Sequence, residues 1–426
     1  YNIEETDEFV KGYKITESVS KNLTDLARIV SAGKILPVLV QGETSVGKTS
    51  LITYLAKLTG HICHRVNNHE TTDIQEYIGS YVQQNSSETT STLVFKEGVL
   101  VQAMRHGHWI ILDELNLAPT DILEALNRVL DDNREIFIVE TQTTIKAHPM
   151  FRLFATQNPP GLYGGRKVLS RALRNRFIEL HFNPIPNCEL VEILDESCKI
   201  PKNKGRKMVE AMRKLQIESQ ELDVVHCKRN YISLRDLFRW ARRVYYEHNK
   251  CDRFFDWDRT MIEEGYLLLT GKARSKDEVN LVARILAEVF RVSDVQLNDE
   301  WFFSPNGSNI TKIILEKCSQ LVNIANIEWT FDFRRIAVLF IRSIQCDEPV
   351  LLVGNTGCGK TTICQLAAML NQQELLTINC HMHTEASDFL GGLKPAVNKT
   401  EVLISFNYNI DKLKSFVKLE KLWIIR

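Results

Sequence analysis

Neither sign of charge is in surplus in this sequence: 53 Lys and Arg balance 53 Asp and Glu over 426 residues. That removes the simplest argument for nucleic-acid or membrane binding, which rests on a strong basic excess. Neither direct membrane contact nor sequence-specific nucleic-acid binding is expected. Local basic clusters at Lys202–Lys207 and Arg239–Arg243 read as solvated helix faces. A disulfide framework is also missing, because the 10 cysteines are scattered without regular spacing, a pattern that suits a reducing compartment. No apolar run reaches membrane-spanning length. The chain opens Tyr1-Asn2-Ile3-Glu4-Glu5, with no initiator Met and no basic-then-apolar signal, and both ends read as cuts in a longer chain. What is present is ordinary for folded domains: 44% hydrophobic and 25% charged residues. The length suits two or three domains.

One internal similarity organises the chain. Gly42-Glu43-Thr44-Ser45-Val46-Gly47-Lys48-Thr49 returns as Gly354-Asn355-Thr356-Gly357-Cys358-Gly359-Lys360-Thr361. Each copy follows a short apolar run, Leu36–Val40 or Val350–Val353, and precedes a helix-like stretch, Ser50–Leu58 or Thr362–Leu370. A spacing this long is a tandem of whole domains and not a solenoid repeat. In the first copy Val38–Val40, Trp109–Leu112 and Phe151–Thr156 suit buried strands of a parallel sheet. Thr120–Leu130 has helical spacing, with Ile122, Leu123, Leu126 and Val129 on one side. Ile136–Val139 and Thr143–Lys146 predict a β-hairpin, and the polar stretch Gln83–Thr92 predicts a loop tip. After Pro184 and Pro186 helical periodicity dominates to about Cys318. The expected organisation is an α/β core over residues 1–182, a helical lid and connector over 183–328, and the first part of a second core over 329–426.

A strand, then GxxxxGK[ST], then a helix is a phosphate-binding signature. Glycines let the backbone turn its N–H groups inward, and the helix N-terminus adds partial positive charge. Gly42, Glu43, Thr44, Ser45, Val46, Gly47, Lys48, Thr49 and Ser50 form one candidate nucleotide cradle. Gly354, Asn355, Thr356, Gly357, Cys358, Gly359, Lys360, Thr361 and Thr362 form the second. Lys48 would reach the terminal phosphates of ATP, and the Thr49 hydroxyl, like that of Thr361, would hold Mg²⁺. A chance glycine-rich turn could match once, but two matches in the same context make that reading weak. Trp109–Glu114 is a buried strand ending in two carboxylates. Asp113 suits the Mg²⁺ shell and Glu114 the deprotonation of an attacking water. Asn158, in Phe154–Pro159, could position that water. Ser170–Phe177 carries Arg171, Arg174 and Arg176, of which Arg174 or Arg176 could reach across a subunit boundary. Arg235, in Ile232–Leu237, could contact the nucleotide from the lid. Taken singly, the arginines would more often be surface ion-pair partners.

In this order, Gly42–Thr49, Ile110–Glu114, Phe154–Pro159, Ser170–Phe177 and Ser233–Arg235 resemble the Walker A, Walker B, sensor 1, arginine-finger and sensor 2 elements of AAA+ proteins. More closely, Leu112–Pro119, Leu126–Glu135 and Ala155–Lys167 resemble the midasin family of giant dynein-related AAA+ proteins. Ile378–His381 and Asp388–Gly392 are similar to the next module of that family. The resemblance is densest over 34–182 and 350–396, weakest over 270–325, and fades after about Val397. It implies a tandem AAA+ fold, each module a parallel-sheet core with helices on both faces and a helical lid. It also implies ATP and Mg²⁺ as cofactors and a ring with neighbouring modules of the same chain. Action on pre-ribosomal large-subunit particles and their assembly factors follows from it, and so does a place in the nucleus.

Two other readings stay open. One is another ring-forming remodeller, either a dynein-like motor or a chaperone-type ATPase, against which the extended match over 110–167 argues. The other is a nucleotide-bound structural module without turnover, against which Asp113, Glu114 and Asn158 argue for the first module. The clusters His61, Cys63, His64, His69 and Cys380, His381, His383 lack the paired spacing of a structural zinc site, so no metal is expected there. Trp240, Tyr245, Tyr246, Phe254, Phe255 and Trp257 read as lid core.

Overall fold

The computed structural model describes residues 12–32, 35–87, 90–159, 167–221, 232–250, 255–273, 275–292, 297–305, 307–325, 328–381, 384 and 389. The chain divides into two compact units, one of residues 1–265 with 272–291 and one of 266–271 with 292–426.

The first unit is built around β1 (Val38–Gly42), β5 (Trp109–Asp113) and β8 (Arg152–Gln157), whose residues are buried on both faces, with six further strands among the described residues. These are β2 (Cys63–Asn67), β3 (Gly79–Ser87), β4 (Thr90–Glu97), β6 (Glu135–Ile138), β7 (Thr143–Lys146) and β9 (Ile178–Phe182). Five of the nine form one sheet in the order β2-β5-β8-β1-β9, and every pairing in it is parallel. Period-two alternation sends successive side chains to opposite faces. Leu39, Ile110, Leu112, Leu153 and Ala155 pack into one cluster, while Val38, Val40, Trp109, Ile111 and Phe154 pack into another. Helices cover both sides, as a parallel sheet requires. α1 (Glu17–Ser31) and α2 (Lys48–Leu58) supply Leu26, Leu51, Ile52 and Leu55 to one cluster. The short α3 (Ile74–Ile78) with α4 (Val99–His106) and α5 (Thr120–Leu130) supply Tyr77, Leu100, Met104, Ile122 and Leu126 to the other.

Two antiparallel ribbons project from this core. β6 and β7 pair as the sequence predicts. The polar stretch Gln83–Thr92 departs from expectation. It continues β3 and β4 as a paired ribbon whose register runs from Gly79↔Glu97 to Ser87↔Thr90, and only residues 88 and 89 between them lie outside the described set. Backbone pairing needs no apolar side chains, so composition there misreads a ribbon as a loop.

Helices follow β9: α6 (Arg171–Arg174) stands just before it, then come α7 (Asn187–Cys198), α8 (Lys202–Glu221), α9 (Leu234–His248), α10 (Trp257–Thr270) and α11 (Lys276–Phe290). Trp240 is buried and donates its indole N–H to the Met261 carbonyl at 2.8 Å. Gly265 is the residue that lets that ring sit flat on α10, since a Cβ there would lie 2.6 Å from it. Tyr245, Tyr246, Phe255 and Trp257 are only partly buried, and Phe254 lies outside the described residues.

The second unit holds the last turn of α10, then α12 (Asp299–Phe302), α13 (Asn309–Ala325), α14 (Phe331–Gln345) and α15 (Lys360–Leu370). Tyr266 stacks on Phe302 at 4.4 Å between ring centroids and donates to Asp299 Oδ1 at 2.7 Å. The run Val350–Val353, expected to form a strand, is unpaired, with Leu351 67% and Val353 87% exposed. In the first unit the corresponding strand β1 is held between β8 and β9, which lie more than a hundred residues further along. Among the described residues of the second unit no strand lies beside Val350–Val353, and a strand without a paired neighbour is not held by a ladder.

Candidate nucleotide site

The carboxyl ends of β1, β5 and β8 converge, and the sheet order makes β8 the strand between the other two. This edge is where open parallel sheets bind ligands. After β1 the chain passes through Ser45 at φ 67° and Gly47 at φ 88°, two left-handed residues that curl the loop back before α2 begins at Lys48. Gly42 is needed for a second reason: a Cβ there would meet the Phe182 carbonyl oxygen at 2.7 Å. Lys48 is buried, and its Nζ donates to Gly42 O at 2.8 Å, Glu43 O at 2.7 Å and Asn158 Oδ1 at 2.7 Å. Asn158 in turn donates from Nδ2 to Glu114 Oε1 at 3.3 Å. The loop lysine, the residue after β8 and the second carboxylate of β5 thus form one chain of contacts.

Asp113 is the centre of a second set. Its carboxylate accepts the Thr49 hydroxyl at 3.2 Å and the Thr156 hydroxyl. Arg65 Nε reaches Oδ2 at 3.0 Å, and Arg65 Nη2 bonds the same oxygen. Burial pushes the Asp113 pKa up, but the hydrogen bonds from Thr156 and Arg65, the Arg65 charge and the Thr49 hydroxyl outweigh it. The net value is below that of an ordinary carboxyl. Asn68 fastens the end of β5, donating from Nδ2 and from its backbone N–H to the Asp113 carbonyl, each at 3.0 Å. Glu114 follows in the left-handed region at φ 53°, a turn that separates its carboxylate from that of Asp113. The buried Asn116 donates to the Asn158 carbonyl at 3.2 Å and so ties the turn after β5 to the end of β8.

A cavity of about 350 Å³ lies between loop and lid, lined by Glu43, Thr44 and Val46, by Arg213, Gln216 and Ile217 of α8, and by Ile232, Ser233 and Leu234. Arg213 is braced by Asn187, Gln216 and the Ile185 carbonyl. At the same loop the Tyr13 hydroxyl lies 3.5 Å from Ser50 Oγ, and its ring stacks on Tyr54 at 4.6 Å. The residues fit a nucleotide with a hard cation. Among the described residues Ser45 Oγ, buried within the loop, has no hydrogen-bond partner, a cost that a phosphate oxygen would remove. The all-oxygen set of Thr49 and Asp113 suits Mg²⁺.

The arginines stand apart from this network. Arg174 forms a two-pronged pair with Glu179 at 2.8 and 2.7 Å. Arg176 bonds Asn127 and lies 3.1 Å from Asp131. Arg235 is exposed on the first turn of α9, next to Ser233 and Leu234 of the cavity wall. Sequence reasoning missed Arg65, Asn116, Thr156 and Arg213. Arg65 and Arg213 lie in no motif, while Asn116 and Thr156 lie inside motifs that the sequence reading gave to other residues.

In the second unit Lys360 Nζ donates to Gly354 O at 2.7 Å and Asn355 O at 2.6 Å, and lies 3.7 Å from Cys358 Sγ. Gly357 and Gly359 have φ 81° and 82°. Thr361 is exposed, and residues Leu390–Gly392, like Gly161–Arg166 of the first unit and His383, lie outside the described residues. In the first His/Cys cluster the side chains have other partners. His64 Nε2 lies 2.9 Å from His108 Nδ1, His61 stacks on Trp109, and burial pushes the Cys63 thiol up to about 12. Among the described residues no group of three or more possible ligands assembles.

Sheet, loop, paired carboxylates and lid define a P-loop nucleotide-binding module of AAA+ architecture. Residues 37–177 and 349–406 match the AAA domain (dynein-related subfamily), and residues 189–293 match the midasin AAA lid domain. The chain belongs to the midasin family of dynein-related AAA proteins. It is 45% identical over 414 residues to midasin of Dictyostelium discoideum, covering 95% of this chain and 7% of that protein. It is 39% identical over 401 residues to midasin of Giardia intestinalis, covering 90% of this chain and 8% of that one. An uncharacterized protein of Staphylococcus aureus strain USA300 is 31% identical over 205 residues, covering 48% of this chain and 74% of that protein. The chain therefore spans less than a tenth of the length of the two midasins it matches.

Proposed function

We propose that the first module binds ATP with Mg²⁺ and hydrolyses it, and that the chain is part of a ring of such modules. The observation that carries this is the single network from Lys48 through Asn158 to Glu114, beside Thr49 and Asp113. Lys48 and the loop N–H groups hold the terminal phosphates. Thr49 and Asp113 hold the cation, which, when bound, neutralises charge between the phosphates. Glu114 takes the proton of the attacking water, with Asn158 fixing both its carboxylate and the lysine. Arg235 contacts the nucleotide from the lid. Arg174 or Arg176 serves the site of a neighbouring module, exchanging its pair with Glu179 or Asp131 for a phosphate. Gly354–Thr362 forms the second nucleotide cradle, with Thr361 on its Mg²⁺. Substitution of Lys48 by Ala tests the reading: labelled-ATP binding by the first module should weaken sharply, by about tenfold or more, and unchanged affinity would overturn it.

The family resemblance supports a finer reading: remodelling of large-subunit pre-ribosomal particles in the nucleus, with release of assembly factors. Its test is nucleotide-dependent co-sedimentation of the whole protein with such particles. Retention of assembly factors on particles isolated with a Glu114→Gln protein would support it, and wild-type release would count against it.

A further inference from the structure

We propose that Arg65 guards the cation side of the first site, holding Asp113 until a divalent cation arrives with the nucleotide and displaces it. This rests on the assignment of Thr49 and Asp113 to the cation made above. Arg65 lies on β2, the edge strand paired with β5, where Arg65 is opposite Ile111. Its side chain is 52% exposed while that of Asp113 is 11% exposed, so the guanidinium covers the carboxylate from the solvent side. All its hydrogen bonds among the described residues go to Asp113 Oδ2. Oδ1 is taken by Thr156 and Thr49. A Mg²⁺-class cation needs a near-octahedral oxygen shell, so one of these donors has to yield. The hydroxyls can stay, because each rotates and also accepts. The guanidinium cannot accept and has the same sign of charge as the cation. It is therefore the group that leaves, and its long half-exposed stem makes leaving easy.

This arrangement makes free cation a poor competitor. Mg²⁺ alone must displace a bonded positive charge, whereas Mg²⁺ on a nucleotide brings phosphate charge that Lys48 and the loop also attract. Arg65 is thus a positioning residue for ordered loading, outside the chemical step.

The experiment uses the 426-residue chain with Lys360→Ala, to silence the second cradle, and a fluorescent non-hydrolysable ATP analogue titrated with Mg²⁺. Arg65→Gln should lower the Mg²⁺ concentration for half-maximal nucleotide binding by about tenfold, the size of a lost charge-assisted hydrogen bond. Mg²⁺ alone should raise the melting temperature of this nucleotide-free variant and leave that of the parent unchanged. Arg65→Lys should shift the midpoint in the same direction by less, which covers a Gln variant that folds poorly. Arg105→Gln, which breaks the remote surface pair with Glu97, should shift nothing. An unchanged or raised midpoint in both Arg65 variants overturns the inference while leaving the site intact. If the parent binds nucleotide without any Mg²⁺ dependence, or Asp113→Asn leaves that dependence unaltered, the cation assignment itself fails and the inference with it.

Discussion

The two phosphate loops have nearly the same backbone and different surroundings. Ser45 and Gly47 sit at φ 67° and 88°, and Gly357 and Gly359 at 81° and 82°. Each lysine closes on two carbonyls of its own loop, Lys48 on Gly42 and Glu43, Lys360 on Gly354 and Asn355. The third contact separates them. Lys48 reaches Asn158, which arrives from β8, and Lys360 has the thiol of Cys358 within its own loop. The strand before the first loop is buried, and the run before the second is exposed. The cradle is thus a local property of eight residues, while the contact network from Lys48 to Glu114 needs strands that arrive later in the chain.

If the chain works within a ring of modules, as proposed, its isolation is expected to have the largest effect. The first site then lacks an arginine from the module on its other side. Specific activity per site should fall by about 10³–10⁵, the range such arginines contribute in GTPases. Phosphate release by the 426-residue chain and by the whole protein in its proposed ring measures it, and equal rates would favour a self-contained ATPase.

Next, Glu114→Gln in the assembled ring should slow turnover at the first site by about 10²–10⁴ while ATP stays bound. The other sites must be disabled for the rate to report this one. Substitution of each loop lysine comes third. Lys48→Ala and Lys360→Ala should each weaken nucleotide binding at their own loop by about tenfold or more, since each removes a charge-assisted contact. Competition binding with labelled ATP tells the two apart. Loss at only one loop would limit the comparison to backbone shape.

Asp113 gives a weaker, pH-dependent signal. Its folded pKa lies below the ordinary value of 3.8, so its contribution to stability is fully present above that value. It is lost as pH falls from there through the depressed folded value. Acid unfolding of Asp113→Asn should be correspondingly less steep in that window, followed by circular dichroism. The smallest effect belongs to the loop backbones. Gly357→Ser should cost about 1 kcal/mol and Ser45→Gly should change stability by less than that, because φ is positive at both positions. Denaturant midpoints of the two variants would show whether the loops are interchangeable.

Several features needed no tertiary information. Both phosphate loops, the strand cores of β1, β5 and β8, helix α5 and the β6–β7 hairpin all follow from local chemistry: glycine at left-handed positions, apolar runs, period-two and helical spacing. The carboxylate pair Asp113 and Glu114 is legible for the same reason, as polar residues that end a buried strand. Other features depended on which strand lies beside which. Placing β8 between β1 and β5 brings Asn158 to Lys48, and placing β2 next to β5 puts Arg65 on Asp113. Ribbon pairing turned the polar stretch Gln83–Thr92 into strands. Among the described residues no strand pairs with Val350–Val353 despite its apolar composition. Local sequence determined where the backbone turns and which faces are apolar. Long-range pairing decided which charges meet, because hydrogen-bond and ion-pair partners come from residues far apart in the chain.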